Sequence, residues 1–132
     1  MKILANTDEL VKKLEMATGP SRELDCSIAL AFGGFHLMHE TGSGDLYCRG
    51  DERPGQAGDM LVPHYTGSMD AAIKLIPAWS WRVGNLPSGR AFADLGTQRS
   101  LQCVEGATPA IAICIAVGKA HLQREGIEKA RK

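Results

Sequence analysis

The chain has 132 residues, the length of a single domain, and 44% of them are hydrophobic. Its 15 basic and 15 acidic residues give a formal net charge of zero at pH 7, so it lacks the strongly positive field that accompanies non-specific nucleic-acid binding. The longest apolar run, AIAICIAV at 110–117, is shorter than the roughly twenty residues that cross a bilayer, so no membrane span is expected.

The four cysteines are expected to be free thiols, because none of them forms a C-x-x-C pair. Cys26 and Cys114 lie in apolar contexts that suit buried thiols. The N-terminal MKILANTDELVKK lacks the apolar core that a secretion signal needs. We therefore expect one cytoplasmic domain that spans residues 1–132.

Two amphipathic helices are predicted at the N-terminal end of the chain. Asn6 or Thr7 can cap the first, because its side-chain oxygen can accept a hydrogen bond from a free N–H of the first turn. Ser21 can cap the second, and Asp25 in the first turn suits the positive end of the helix dipole. The two glycines at 33–34 end the second helix.

Glycines interrupt the chain often between residues 41 and 59, so this segment is expected to be flexible. The stretches 35–39 and 46–49 can pair as a short hairpin around a glycine-containing turn. Such a hairpin is marginally stable alone, so it needs a surface on which to lie.

A third helix is predicted to begin at Thr66 or Ser68, either of which can cap it. Asp70 places negative charge in its first turn, where the helix dipole is positive. Apolar side chains then recur along one side at helical spacing, and Pro77 ends the helix.

A three-stranded antiparallel meander is predicted next, with strands at 79–83, 90–94 and 99–104. In the first strand apolar and polar residues alternate, which places Trp81 on one face and Arg82 on the other. We expect Trp81 to belong to the core.

The last helix is predicted to begin at Thr108, with Pro109 where a helix tolerates proline best. Residues 110–117 are apolar all round, so the helix is expected to lie between the sheet and the N-terminal helices. Burial against a second subunit is the alternative, and a monomer is favoured because the N-terminal helices also need an apolar surface. From Lys119 the chain turns charged and is expected to fray, with residues 123–132 as a solvated tail.

Together these elements predict an α+β fold. A small antiparallel sheet, consisting of the three-stranded meander and a possible extra hairpin, is flanked by helices in an αβα sandwich. No internal repeat and no linker divides the chain, so a single domain is expected.

Three stretches carry a family resemblance: GPSRELDCSIALAFG, then PHYTGSMDAAIKLIP before a tryptophan-rich strand, then EGATPAIAICIAVGKA. Together they resemble the small phage and prophage proteins with an αβα sandwich domain that are frequent in alphaproteobacterial genomes. The resemblance covers under half of the chain. It implies a soluble, phage-derived accessory protein, and it implies no catalytic residues because this family has no established activity.

His36, His39 and Cys48 are residue types that bind zinc, and they lie close together in the chain. In a strand, however, His36 and His39 would point to opposite faces, and no paired cysteine spacing supports the site. The alternative interpretation is a hairpin that carries two exposed imidazoles, and we favour a protein without a cofactor.

Arg82, Arg90 and Arg99 fall one on each predicted strand, where they can line a face of the sheet that contacts anions or nucleic acid. The favoured alternative is that they form the solvated side of a sheet packed on its other face. The order helix, three strands, helix also occurs in double-stranded RNA-binding domains. The final helix carries no basic residue before Lys119, however, so a nucleic-acid partner is disfavoured.

The sequence contains no G-x-S-x-G, P-loop, G-x-G-x-x-G or H-E-x-x-H motif. A hydrolase would need a cleft that joins residues such as His64, Asp94 or His121. The favoured interpretation is a non-catalytic module that binds an unknown protein partner. The alternative is a small metal-dependent or hydrolytic enzyme with its site at residues 36–59, and a second alternative is nucleic-acid binding by the sheet face.

Overall fold

The computed structural model describes residues 6–32, 35–40, 46–50, 60–76, 80–96 and 101–130, with side chains described for residues 6–32, 61–76, 80–96 and 101–123. Within these ranges the chain forms four helices and six strands. In chain order they are α1 (Thr7–Met16), α2 (Arg22–Ala31), β1 (Phe35–Glu40), β2 (Leu46–Gly50), β3 (Met60–Leu61), α3 (Met69–Ile73), β4 (Ser80–Asn85), β5 (Ala91–Gly96), β6 (Leu101–Gly106) and α4 (Pro109–Ala130). The predicted α+β fold, with a small antiparallel sheet against helices, is confirmed.

The described strands form two antiparallel sheets, each with its three strands in chain order. The first contains the predicted hairpin of β1 and β2, to which the short β3 adds. The second is the predicted meander, in which β5 lies between β4 and β6. Apart from β2, the segment 41–59 that is predicted to be flexible lies outside the described residues.

Polar side chains fix where the first three helices begin. Asn6 accepts a hydrogen bond from a first-turn N–H of α1 at 2.9 Å. Ser21 and Ser68 do the same at α2 and α3, each at 3.3 Å. Of the alternatives that the sequence left open, Asn6 and Ser68 are therefore the caps, whereas Thr7 is the first residue of α1 and Thr66 bonds to Asp25.

Helix α4 is the central element of the fold. It contacts β4, β5 and β6, and it also contacts α1 and α3. Its residues from Ala110 to Val117 are at most 5% exposed. The predicted burial between the sheet and the N-terminal helices is confirmed, whereas the helix continues to Ala130 instead of fraying at Lys119.

Two glycines bring α4 close to its neighbours. A Cβ at Gly106 would lie 2.8 Å from the backbone nitrogen of Ala112, and one at Gly118 would lie 2.6 Å from Cγ2 of Val11. Real Cβ atoms do not approach other atoms so closely, so both contacts depend on the absence of a side chain.

A tight turn joins β4 to β5 and sets their register. The N–H of Gly89 donates to the carbonyl of Leu86 at 3.0 Å, and the N–H of Leu86 donates to the carbonyl of Arg90 at 2.7 Å. Gly89 has φ of 89°, which suits glycine, and Pro87 suits the first central position of such a turn. This three-residue loop is a common hairpin connection.

Trp81 is not a core residue, so its predicted burial is wrong. Its side chain is 43% exposed, although its cross-strand partner Leu95 is only 1% exposed. The alternation predicted the correct face, since Arg82 lies on the opposite side. Among the described strands β4 is at an edge, and α4 packs mainly against β5 and β6, so the helix covers the indole only in part.

Candidate functional site

One face of the sheet formed by β4, β5 and β6 is accessible to solvent. Along β5, Ala91, Ala93 and Leu95 are buried because they are on the side of α4, whereas the alternate Phe92 and Asp94 are only half-buried. We call the solvent side the open face. The register places six large side chains there: Arg82, Phe92, Asp94, Leu101, Cys103 and Glu105.

An ion pair occupies the centre of the open face. Arg82 and Asp94 are directly opposite each other in the register. Nη2 of Arg82 donates to Oδ2 of Asp94 at 2.8 Å, and Nε donates to the same oxygen at 3.3 Å. The hydrogen bond from Arg82 is the main reason why the pKa of Asp94 is lowered from its ordinary 3.8. The charges of Arg82 and Asp94 are therefore paired with each other within the face.

Cys103 continues this row on β6, where it is opposite Asp94 and exposed. Its hydrogen bond to Asp94 is the main reason why the pKa of the Cys103 thiol is raised above its ordinary 9.0. Because the thiolate is the nucleophilic form of cysteine, Cys103 is a poor nucleophile near neutral pH.

The ring of Phe92 lies against Gly84 on the neighbouring strand. A Cβ at Gly84 would be 2.8 Å from Cε1 of the ring, so the ring occupies the space that a side chain would need. The guanidinium carbon of Arg82 lies 5.8 Å from the centre of the same ring. Phe92 is thus held between a glycine and a cation, which is a favourable arrangement for an aromatic ring on a sheet.

Leu101 is the most exposed large apolar side chain on the open face, with 65% of its surface accessible. Glu105 at the other end of β6 is also exposed. The face as described carries one basic side chain, Arg82, against two acidic ones, Asp94 and Glu105. This balance is opposite in sign to the surface that a phosphate backbone requires.

The three arginines of the predicted anion-contacting face have different positions. Arg82 is on the open face and is paired with Asp94. Arg90 is exposed in the turn that joins β4 to β5, where its N–H donates to Oγ of Ser88 at 3.4 Å. Arg99 lies outside the described residues, so a shared arginine surface stays a prediction.

The three residues of the predicted metal site lie on the first sheet. His36 and His39 are in β1 and Cys48 is in β2, where it pairs with Met38. Their side chains lie outside the described part of the chain, so the zinc site stays a prediction. Among the residues that are described, no group of three potential ligands is positioned to hold a metal ion.

The residues that a hydrolase would need to join are in different places. Asp94 is on the open face, which points away from α4, whereas His121 is on α4 and stacks on Phe32 with ring centres 5.3 Å apart. His64 is exposed in the loop before α3. The fold therefore does not assemble these three groups into one catalytic cleft.

Cys26 and Cys114 are buried free thiols, as their apolar contexts predict. Burial is the main reason why the pKa of each thiol is raised. The Cys114 thiol also donates to the carbonyl of Tyr65 at 3.6 Å. Both side chains therefore contribute to the core as small apolar groups.

A buried polar cluster connects the start of α2 to the loop before α3, and the sequence did not indicate it. Asp25 is 1% exposed, and its Oδ1 accepts hydrogen bonds from the N–H and the hydroxyl of Thr66 at 2.8 and 2.7 Å. Its Oδ2 accepts one from Arg22 at 2.8 Å. Arg22 also donates to the carbonyl of Val62 at 2.8 Å, and the N–H of Ser21 donates to the Thr66 hydroxyl at 2.9 Å. These donors and acceptors bond to one another, so we assign the cluster a structural role in holding the loop before α3 against the start of α2.

A groove of about 520 Å³ lies where α1 turns into α2. Its walls include the exposed Met16, the half-buried Leu24 and the polar Ser21 and Glu23. The Ser21 hydroxyl already caps α2. The groove thus offers both apolar and polar side chains, and those named here do not form a catalytic arrangement.

No known protein family, no curated protein and no solved structure matches this chain. The resemblance to small phage and prophage proteins therefore stays a prediction. Among the helices in the described part of the chain, none is long and apolar enough to cross a membrane.

Proposed function

We propose that this chain is a non-catalytic binding module that takes a protein partner on the open face of the β4–β5–β6 sheet. The observation that carries the proposal is the exposure of Leu101, at 65%, on a sheet face that no described residue covers and that also carries the half-buried Phe92. Leu101 and Phe92 lie on opposite sides of the row formed by Arg82, Asp94 and Cys103, and such a mixture of apolar and polar groups is usual in a protein-binding surface.

The chemistry of the polar groups supports recognition over catalysis. A catalytic acid or base needs a pKa near the working pH, whereas the pKa of Asp94 is lowered and that of Cys103 is raised. Arg82 and Asp94 also hold each other in fixed positions. Groups that are paired in this way present a defined pattern of donors and acceptors to a partner.

The charge of the open face supports a protein over a nucleic acid as the partner. Among the described residues of this face, the one basic side chain is paired with Asp94, and Glu105 adds a second acidic group. A phosphate backbone would meet net negative charge there. The resemblance adds that the module belongs to a phage-derived accessory protein. We further propose that it acts in the cytoplasm as a monomer, and the burial of α4 supports the monomer because that apolar helix needs no second subunit.

The proposal can be tested by capturing the partner from cells that carry the phage element and measuring its affinity for two variants. L101E places a charge at the exposed apolar position, whereas M16E makes the same change at a methionine that is 77% exposed on α1. Because both positions are exposed, neither variant is expected to unfold. We expect the Kd to rise by about tenfold or more in L101E and by less than about twofold in M16E. Equal affinities of the two variants would contradict the proposal.

A further inference from the structure

β4 is a regular edge strand. In the part of the chain that the structure describes, β4 pairs with β5 alone. The pairing is continuous from Ser80 opposite Gly96 to Asn85 opposite Ala91, with no bulge. An edge of this kind presents unpaired backbone N–H and C=O groups to its surroundings.

The register shows which residues present these groups. In an antiparallel pair, opposite residues alternate between pairs that exchange both hydrogen bonds and pairs that exchange none. Leu86 donates to the carbonyl of Arg90 across the turn, so the alternation assigns Gly84, Arg82 and Ser80 to the bonded pairs with β5. The backbone groups of the intervening residues therefore point away from β5. These residues are Trp81, Val83 and Asn85.

The same three residues offer side chains as well as backbone groups. Trp81 is 43% exposed and Val83 is half-buried, and both side chains are on the α4 side of the sheet. A strand added to β4 would place alternate side chains beside the indole, where apolar groups would be covered. N–H and C=O groups that repeat at every second residue match an extended polypeptide and no other class of ligand.

Within the residues that the structure describes, β4 lacks the features that normally protect an edge. Proteins block edges with prolines, bulges, unpaired charges or a covering helix. β4 contains no proline, and its one charge, on Arg82, points to the open face and is paired with Asp94. The other edge of the sheet differs, because β6 contacts α1.

We propose that β4 binds an extended segment of a partner protein, which adds to the sheet as a fourth strand with apolar side chains at alternate positions. This inference rests on the proposed function and specifies how the partner engages the sheet. A second copy of this chain is a poorer occupant, because pairing two six-residue strands covers much less than the roughly 1,200 Å² that a stable dimer buries. A short segment bound transiently needs no such area.

The test uses a displayed library of random peptides, each long enough to form a strand of about six residues, selected on the full chain. An enriched peptide is synthesised and titrated into the wild type and two edge variants. V83P removes an N–H that points away from β5, so the β4–β5 hydrogen bonds remain. W81K leaves the backbone intact and charges the exposed edge, so it gives a readout if V83P fails to fold. M16E on α1 is the control, and L101E distinguishes binding at the open face from binding at the β4 edge.

We expect the enriched peptides to have apolar residues at alternate positions. The Kd of such a peptide should be about tenfold or more higher for V83P and for W81K than for the wild type. The amides of Trp81, Val83 and Asn85 should exchange more slowly with the peptide bound, whereas those of Arg82 and Gly84, already bonded to β5, should not change. Loss of affinity in L101E alone would overturn the added strand and leave the proposed function standing. Failure to enrich any peptide, or protection of the edge amides by self-association of the free chain, would overturn the inference.

Discussion

The carboxylate of Asp25 joins two parts of the molecule that are far apart in the chain. Thr66, which donates two hydrogen bonds to it, is 41 residues away. Arg22 completes the cluster by bonding both to Asp25 and to the carbonyl of Val62. A buried carboxylate is stable only when its oxygens are bonded, and here both of them are. The cluster therefore fixes the loop before α3 on the start of α2.

Replacing Asp25 by alanine should lower the free energy of unfolding by about 3 kcal/mol, because the buried N–H and hydroxyl of Thr66 and the guanidinium of Arg22 lose their acceptor. Asp8→Ala is the matched control, since Asp8 forms an exposed i,i+4 ion pair with Lys12. That change should cost less than about 1 kcal/mol. Urea unfolding of both variants measures the difference, and equal midpoints would show that the Asp25 cluster adds no stability.

Local signals explain which residue-level predictions succeeded. The caps Asn6, Ser21 and Ser68 act within one turn, so the sequence indicated them together with their alternatives. The pairing of Asp25 with Thr66 depends on tertiary structure, so the sequence indicated only the effect of Asp25 on the helix dipole. The predicted burial of Trp81 was wrong for a related reason. Alternation predicts which face of a strand a side chain lies on, but it does not predict how far that side chain lies from the covering helix.

At the scale of elements, the position of α4 depends on how closely it approaches the sheet. Ala112 of the helix lies beside Gly106, the last residue of β6, with no room for a side chain between them. The apolar surface of α4 predicted its burial, because a helix without a polar side must be covered all round. The close contact itself was not predictable, since a single glycine at a strand end has many roles.

Gly106→Ala should therefore destabilise the protein by about 1–3 kcal/mol, because the new methyl group pushes the backbone of α4 away from β6. Gly19→Ala is the control, since no atom lies within 4 Å of the position that its Cβ would take. We expect that variant to change stability by less than about 1 kcal/mol. Denaturant unfolding compares them, and an unchanged midpoint for Gly106→Ala would mean that the helix can shift without cost.

At the scale of the whole molecule, the described fold covers one sheet face with α4 and leaves the other open. The sequence predicted the three strands and their order, since each is bounded by turn residues. It did not predict the row of Arg82, Asp94 and Cys103, because their adjacency follows from two registers. The turn at Leu86–Gly89 sets the register of Arg82 with Asp94, and the pairing of β5 with β6 places Cys103 opposite Asp94. Only the pairing of the three strands brings the side chains of this surface together.

We propose that the partner binds on the open face of the sheet. Hydroxyl-radical footprinting of the captured complex, compared with the free protein, tests it directly, because oxidation reports the solvent exposure of each side chain. We expect Leu101 and Phe92 to be protected in the complex, while Met16 beside the α1–α2 groove reacts as in the free protein. Protection of Met16 with unchanged oxidation of Leu101 would place the partner elsewhere and contradict the account.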